Sequence, residues 1–206
     1  MALSKKDLRE VEKLIRLSQR GDAEAFGELY DKLVVLIYRY IYYRVNHQDA
    51  EDLTELVFLK AWENRKKYKN KKEASFLAWL FRIAHNIVVD HYRTAAKTQT
   101  VELSEEIADL NYSSDNPADE VQLKFDQLKL ARLIRKLPEI QQQVIVLKFV
   151  NDFSNAEIAK IIDKSVGAVR VIQYRALSRL KKLLDQSETK GRNTSAILTF
   201  KTVRDV

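Results

Sequence analysis

Arg170 and Arg175 share a run with Gly167, Val171, Tyr174 and Ser178 that carries a definite chemistry once it is wound as a helix. At about 100° per residue, Gly167, Val171, Tyr174, Arg175 and Ser178 fall on one face, with Arg170 at its edge. Small residues near the start of such a face let the backbone approach a groove of duplex DNA. The arginines can donate paired hydrogen bonds to a guanine edge. That chemistry is recognition, not bond-making. Val169, Ile172, Ala176, Leu180 and Leu183 make the opposite, apolar face. Gln173 falls among them, and nothing in the pattern explains it. A second constellation lies upstream, in SFLAWLFRIAHNIVVDHYR. Here Asn86, Asp90 and Arg93 recur at three- and four-residue spacing and can present polar groups to bases. His85 and His91 invite a metal reading, but no thiolate or clustered carboxylate accompanies them, so neither a metal nor a cofactor is expected.

Positioning the first set requires two short helices and a tight turn. Ser154 and Glu157 have the spacing of a capping box, and Phe153 and Ile158 that of a hydrophobic staple. Asp163 and Lys164 make the turn, and Ser165 can cap the second helix. Two capped helices joined in this way match a helix-turn-helix. A plain helical hairpin with a basic solvated face is the competing reading. For the second set, Ser75 is a plausible cap, and Phe76, Trp79, Leu80, Ile83 and Ile87 are the expected core, with Trp79 inside rather than offered as a stacking platform.

The 206 residues contain only 4 Gly and 2 Pro and 46% apolar residues, which favours an all-α fold. The absence of cysteine excludes disulfides, thiolate metal sites and a cysteine nucleophile. The opening MALSKKDLRE is charged, and no apolar run approaches the ~20 residues that cross a bilayer. The expectation is a cytoplasmic chain with no membrane insertion. The net charge is +7 and is unevenly spread. Residues 60–97 hold ten basic against three acidic residues, and residues 144–186 eight against four. Residues 101–120 hold seven acidic residues and no basic one. Two basic blocks around an acidic segment point to two polyanion-binding modules.

Periodicity and breaks predict two small helical domains, an N-terminal helical bundle and a C-terminal helix-turn-helix domain, joined by a flexible acidic linker. A first helix near 5–20 stops at Gly21, and Asp22 caps a second carrying Phe26, Leu29, Leu33, Leu36, Ile37 and Tyr40. A third follows Asn46–Asp49, and a lysine-rich loop leads to the fourth. The expected boundaries are 1–93 for the bundle, 94–117 for the linker, 118–186 for the second domain and 187–206 for a tail. In the third helix, Ala50, Leu53, Val57 and Ala61 face inward, whereas Phe58, Leu59 and Trp62 point the other way. That predicts either burial all round or a partner surface.

The run LPEIQQQVIVLKFVNDFSNAEIAKIIDKSVGAVRVIQYRALSRLKKLL resembles the promoter-reading C-terminal domain of extracytoplasmic-function (ECF) sigma factors. Residues 22–93 are similar to that family's other conserved domain, which binds core RNA polymerase and the −10 element. The resemblance implies a sigma factor, a non-enzymatic subunit that directs promoter-specific initiation. It implies −35 contacts by Ser165, Gly167, Arg170, Val171, Tyr174 and Arg175, and −10 contacts by Tyr68, Asn86, Asp90 and Arg93. In the family a base is flipped into a pocket beside the fourth helix, roofed by the preceding loop; here that loop is residues 66–74, with Tyr68 as its aromatic. Asp52, Glu55, Leu56 and Leu59 are implied to dock on the clamp helices of the polymerase's largest subunit. Two departures stand out. Glu55-Leu56 replaces the usual Gln-Glu, and Asp163 stands where Gly is frequent. Many relatives are held inactive by an anti-sigma factor, which leaves such a partner open for this chain. The alternative is a stand-alone helix-turn-helix regulator acting without polymerase. A nuclease is disfavoured by carboxylates scattered along helix surfaces, with no phosphate loop.

Overall fold

The structure is a computed structural model that describes residues 3–69, 75–98 and 117–190. Among the described residues there is no strand. The chain forms α1 (Lys5–Gln19), α2 (Ala23–Tyr42), α3 (His47–Asn64), α4 (Phe76–Thr98), α5 (Pro117–Arg135), α6 (Glu139–Ile145), α7 (Asn155–Ile162) and α8 (Val166–Lys190). A turn of 3₁₀ helix, Arg65–Lys67, ends α3, and a π turn, Val146–Val150, extends α6. The expected linker, 94–117, lies outside the described residues except at its ends, where α4 runs on to Thr98 and α5 starts at Pro117. The expected tail, 187–206, is described only to Lys190, where α8 ends.

Local signals account for the helix ends. Ser4 and Asp7 close a capping box on α1, and Gly21, with φ +108°, takes the backbone past its C-terminus. Asp22 caps α2 by accepting from the Ala25 N–H at 3.0 Å. Leu29, Leu33, Leu36, Ile37 and Tyr40 line the buried side of α2, and Phe26 packs edge-on against Trp62. In the second half, the Gln142 amide donates to the carbonyls of Leu137 (2.8 Å) and Arg135 (3.1 Å), satisfying acceptors at the end of α5.

The two helical units share one apolar core. Phe81 on α4 meets Tyr40 of the bundle at 5.2 Å and Phe153 ahead of α7 at 5.3 Å, both edge-to-face. Polar groups cross the same seam. Asn151 donates to the Leu36 carbonyl at 2.8 Å, and Arg135 donates to the Val45 carbonyl at 2.9 Å. Glu139 Oε1 stands 3.6 Å from Arg44 Nη2 and 3.4 Å from His85 Nε2. Arg44 is 0% exposed and also donates to the Tyr40 hydroxyl.

His85 makes the seam sensitive to pH. Burial pushes its pKa below the ordinary value, Arg44 pushes it further down, and Glu139 opposes both. The unfolded chain therefore takes up a proton at higher pH than the folded one. Stability present at neutral pH is lost as pH falls through the ordinary histidine value of about 6.5 towards the depressed folded value. We expect the urea midpoint to fall between pH 7.5 and 5.5, and less steeply in His85→Gln. Identical slopes in the two proteins would show that His85 contributes none of the effect.

Candidate nucleic-acid and partner interfaces

The helix-turn-helix is built as its caps require. Ser154 Oγ accepts from the Glu157 N–H at 3.3 Å, and Glu157 Oε2 accepts from the Ser154 N–H at 2.8 Å. Phe153 and Ile158, the expected staple, are both buried. Asp163 adopts the left-handed conformation (φ 55°, ψ 53°), which lets the Lys164 N–H reach the Ala159 carbonyl at 3.0 Å. Ser165 Oγ then accepts from the Ala168 N–H at 3.1 Å, capping α8. Val169, Ala176 and Leu180 are buried, while Ser165, Gly167, Arg170, Val171, Arg175 and Ser178 are exposed and Tyr174 is 75% exposed. Gln173 is half-buried. A Cβ at Gly167 would meet only Ser165 Oγ, at 3.9 Å. The fold itself does not require glycine there, so the bare backbone faces outward.

On α4, Phe76, Leu77, Leu80, Phe81, Ala84, Ile87 and Val88 are buried, with Trp79 and Ile83 packed against them. Asn86, Asp90 and Arg93 remain exposed. Arg82 is exposed on the same strip, one turn ahead of Asn86, and extending the four-residue spacing backwards would have found it. Arg93 Nη2 lies 3.0 Å from Asp90 Oδ1, a surface pair that contributes little to stability and leaves both groups within reach of a ligand. His85 and His91 face different carboxylates, Glu139 and Asp49.

Tyr68 departs from its expected part as a stacking face. It is 6% exposed, and its ring packs against Phe76 and Trp79 at 5.4 and 5.5 Å. Its hydroxyl lies 3.2 Å from both carboxylate oxygens of Glu12. Burial, reinforced by the Glu12 charge, pushes its pKa up. A base could stack on this ring only after displacing core neighbours. Of the other residues in the expected loop, Asn70 to Ala74 lie outside the described residues, while Lys66, Lys67 and Lys69 are exposed.

The outer side of α3 is also more covered than its pattern suggests. Phe58 is buried edge-on against Tyr30 at 4.8 Å, and Trp62 is shielded by Phe26 and by the Arg65 guanidinium 3.4 Å from its ring centre. Phe58 is therefore buried on the second side, and Trp62 is half-buried there. Leu59 alone of the three stays open, at 54% exposure, with Asp52 and Glu55 exposed and Leu56 half-buried.

Residues 29–98 match the family Sigma-70 region 2, and residues 127–180 match Sigma-70, region 4. α1 precedes the first match. The ECF RNA polymerase sigma factor BldN of Streptomyces coelicolor is 37% identical over 172 residues, covering 83% of this chain and 64% of BldN's own length. The ECF RNA polymerase sigma factor SigW of Bacillus subtilis is 32% identical, with 84% of this chain and 96% of SigW covered. Among solved structures, CnrH in complex with the cytosolic domain of CnrY is 25% identical, with a TM-score of 0.64 over 86% of this chain and 98% of CnrH.

The left-handed Asp163 gives a direct stability test. An L-residue there costs about 1–2 kcal/mol, less for Asp, and Gly returns some of that gain as unfolded-state entropy. Asp163→Gly should raise stability by up to about 1 kcal/mol, seen as a higher urea midpoint with unchanged m. A lower midpoint would mean that the Asp163 side chain holds the turn in another way.

Proposed function

The chain belongs to the ECF family of RNA polymerase sigma factors, and from that membership we propose how its surfaces divide the work of promoter-specific initiation. The outward face of α8 reads the −35 element, with Arg170 and Arg175 at base edges and Ser165, Gly167, Val171 and Tyr174 shaping the approach. The exposed strip of α4, with Asn86, Asp90 and Arg93, meets the −10 element. Tyr68 supports that site from within the core. Asp52, Glu55, Leu56 and Leu59 of α3 dock on the clamp helices of the polymerase's largest subunit. The chain acts by binding, makes no bonds of its own, and works in the cytoplasm with core polymerase and promoter DNA. Regulation by an anti-sigma factor belongs to the same proposal, and the likeness to CnrH, solved with the cytosolic domain of CnrY, supports a second protein partner.

One observation carries this reading. A single chain matches both sigma regions, and each presents an exposed polar strip while its apolar side closes a common core. A stand-alone regulator has no need of the first region. Run-off transcription with purified core polymerase and a promoter library, with and without the chain, is the test. Unchanged start sites on addition of the chain would refute the reading.

Two finer outcomes follow from the surfaces. Arg170→Ala or Arg175→Ala should each cost about 1–3 kcal/mol of promoter discrimination if they contact guanine edges. Selectivity at −35 that is the same in both variants as in the parent would remove them from base readout. Alanine at Lys66 and Lys69 should flatten the salt dependence of open-complex formation, because phosphate contacts release counterions. Equal salt slopes would assign these lysines to solvent.

A further inference from the structure

α1 ties down two separated points of the chain. Gln19 Nε2 donates to the carbonyls of Arg65 (2.7 Å) and Tyr68 (2.8 Å). Glu12 accepts from the Phe76 N–H at 2.8 Å, and the Tyr68 hydroxyl donates to the same carboxylate. Arg65 Nε returns a bond to the Ser18 carbonyl at 3.2 Å. Glu12 and Gln19 are two turns apart, roughly 10 Å along one side of α1. The buried stripe Val11, Leu14, Ile15 and Ser18 fixes that side against the bundle.

The groups held are backbone groups with few alternatives. The Phe76 N–H is one of the donors at the start of α4 that no helical carbonyl can reach, and a carboxylate there also favours the helix dipole. The Arg65 and Tyr68 carbonyls belong to the turn that leaves α3. α1 thus fixes how far the end of that turn stands from the first residue of α4. Seven residues join these two points, and α4 carries the Asn86–Asp90–Arg93 strip.

We infer that Glu12 and Gln19 are positioning residues for −10 recognition, setting the register between Tyr68 and the start of α4 in which the bundle meets the −10 element. This rests on the reading that the exposed strip of α4 contacts that element. Neither side chain touches DNA in this assignment. Each acts through backbone held in place.

The test uses the full chain with core polymerase and a promoter library varied at both elements. Glu12→Ala and Gln19→Ala should lower discrimination among −10 bases about tenfold, the worth of one or two hydrogen bonds. Preference at −35 and affinity for core polymerase should stay at parental values. Glu12→Gln, which keeps an acceptor oxygen, should restore most of the discrimination. Gln19→Met keeps side-chain length but cannot donate, and carries the test if alanine unfolds α1. Parental −10 preference in Glu12→Ala and in the Gln19 variant would overturn the inference, as would equal losses at −10 and −35. A parent protein that never directs initiation would instead sink the functional reading beneath it.

Discussion

Phe81 is the side chain around which the rest is arranged. Its ring is fully buried and meets Tyr40 and Phe153 edge-to-face at planes of 83° and 89°. Such pairs are worth about 0.5–1.5 kcal/mol each beyond the area they bury. Because both partners lie on different units, α4 is enclosed on the bundle side and on the α7 side at once. What remains for solvent includes one polar strip, Arg82, Asn86, Asp90 and Arg93. That polar strip is therefore a part of α4 left over by packing. The same ring sets where α7 begins, and hence where the α7–α8 turn presents its outer face.

How much of this was legible in the sequence depends on how far apart the interacting residues lie. The helix-turn-helix was legible almost residue by residue, because its caps are local. Ser154 with Glu157 and Ser165 with Ala168 are bonds across three residues. The left-handed Asp163 follows from the same local geometry. The outward set on α8 followed from periodicity, since one face packs and the other does not. What stayed hidden were contacts between distant segments. Glu12 and Phe76 are 64 residues apart, and Asn151 and Leu36 are 115 apart. No period reports such pairs. The enclosure of Tyr68 is hidden for this reason, since an aromatic in a lysine-rich run gives no sign of the carboxylate and rings around it. The choice between burial and a partner surface for Phe58 and Trp62 is hidden likewise, because it depends on Tyr30 and Phe26 of α2.

The seam between the units is less apolar than its aromatic centre suggests. Arg44 is buried with its Nε and Nη2 lacking a hydrogen-bond partner among the described residues, and its carboxylate partner Glu139 is itself half open to water. An unpaired buried N–H costs about 1–3 kcal/mol, and more for a charged group. A carboxylate at 3.6 Å offsets only part of this. Next to it runs a cleft of about 470 Å³ lined by Arg82, His85, Glu139, Gln143 and Ile162. Exposing the Arg44 guanidinium to water would recover solvation that the closed arrangement forgoes. Burial of Phe81 and Phe153 acts in the opposite direction, so the net strength of the seam is a difference between two sizeable contributions. An apolar residue at position 44 would remove the opposing one and leave a seam held by packing and by the Asn151 and Arg135 hydrogen bonds, tighter than the seam this sequence encodes.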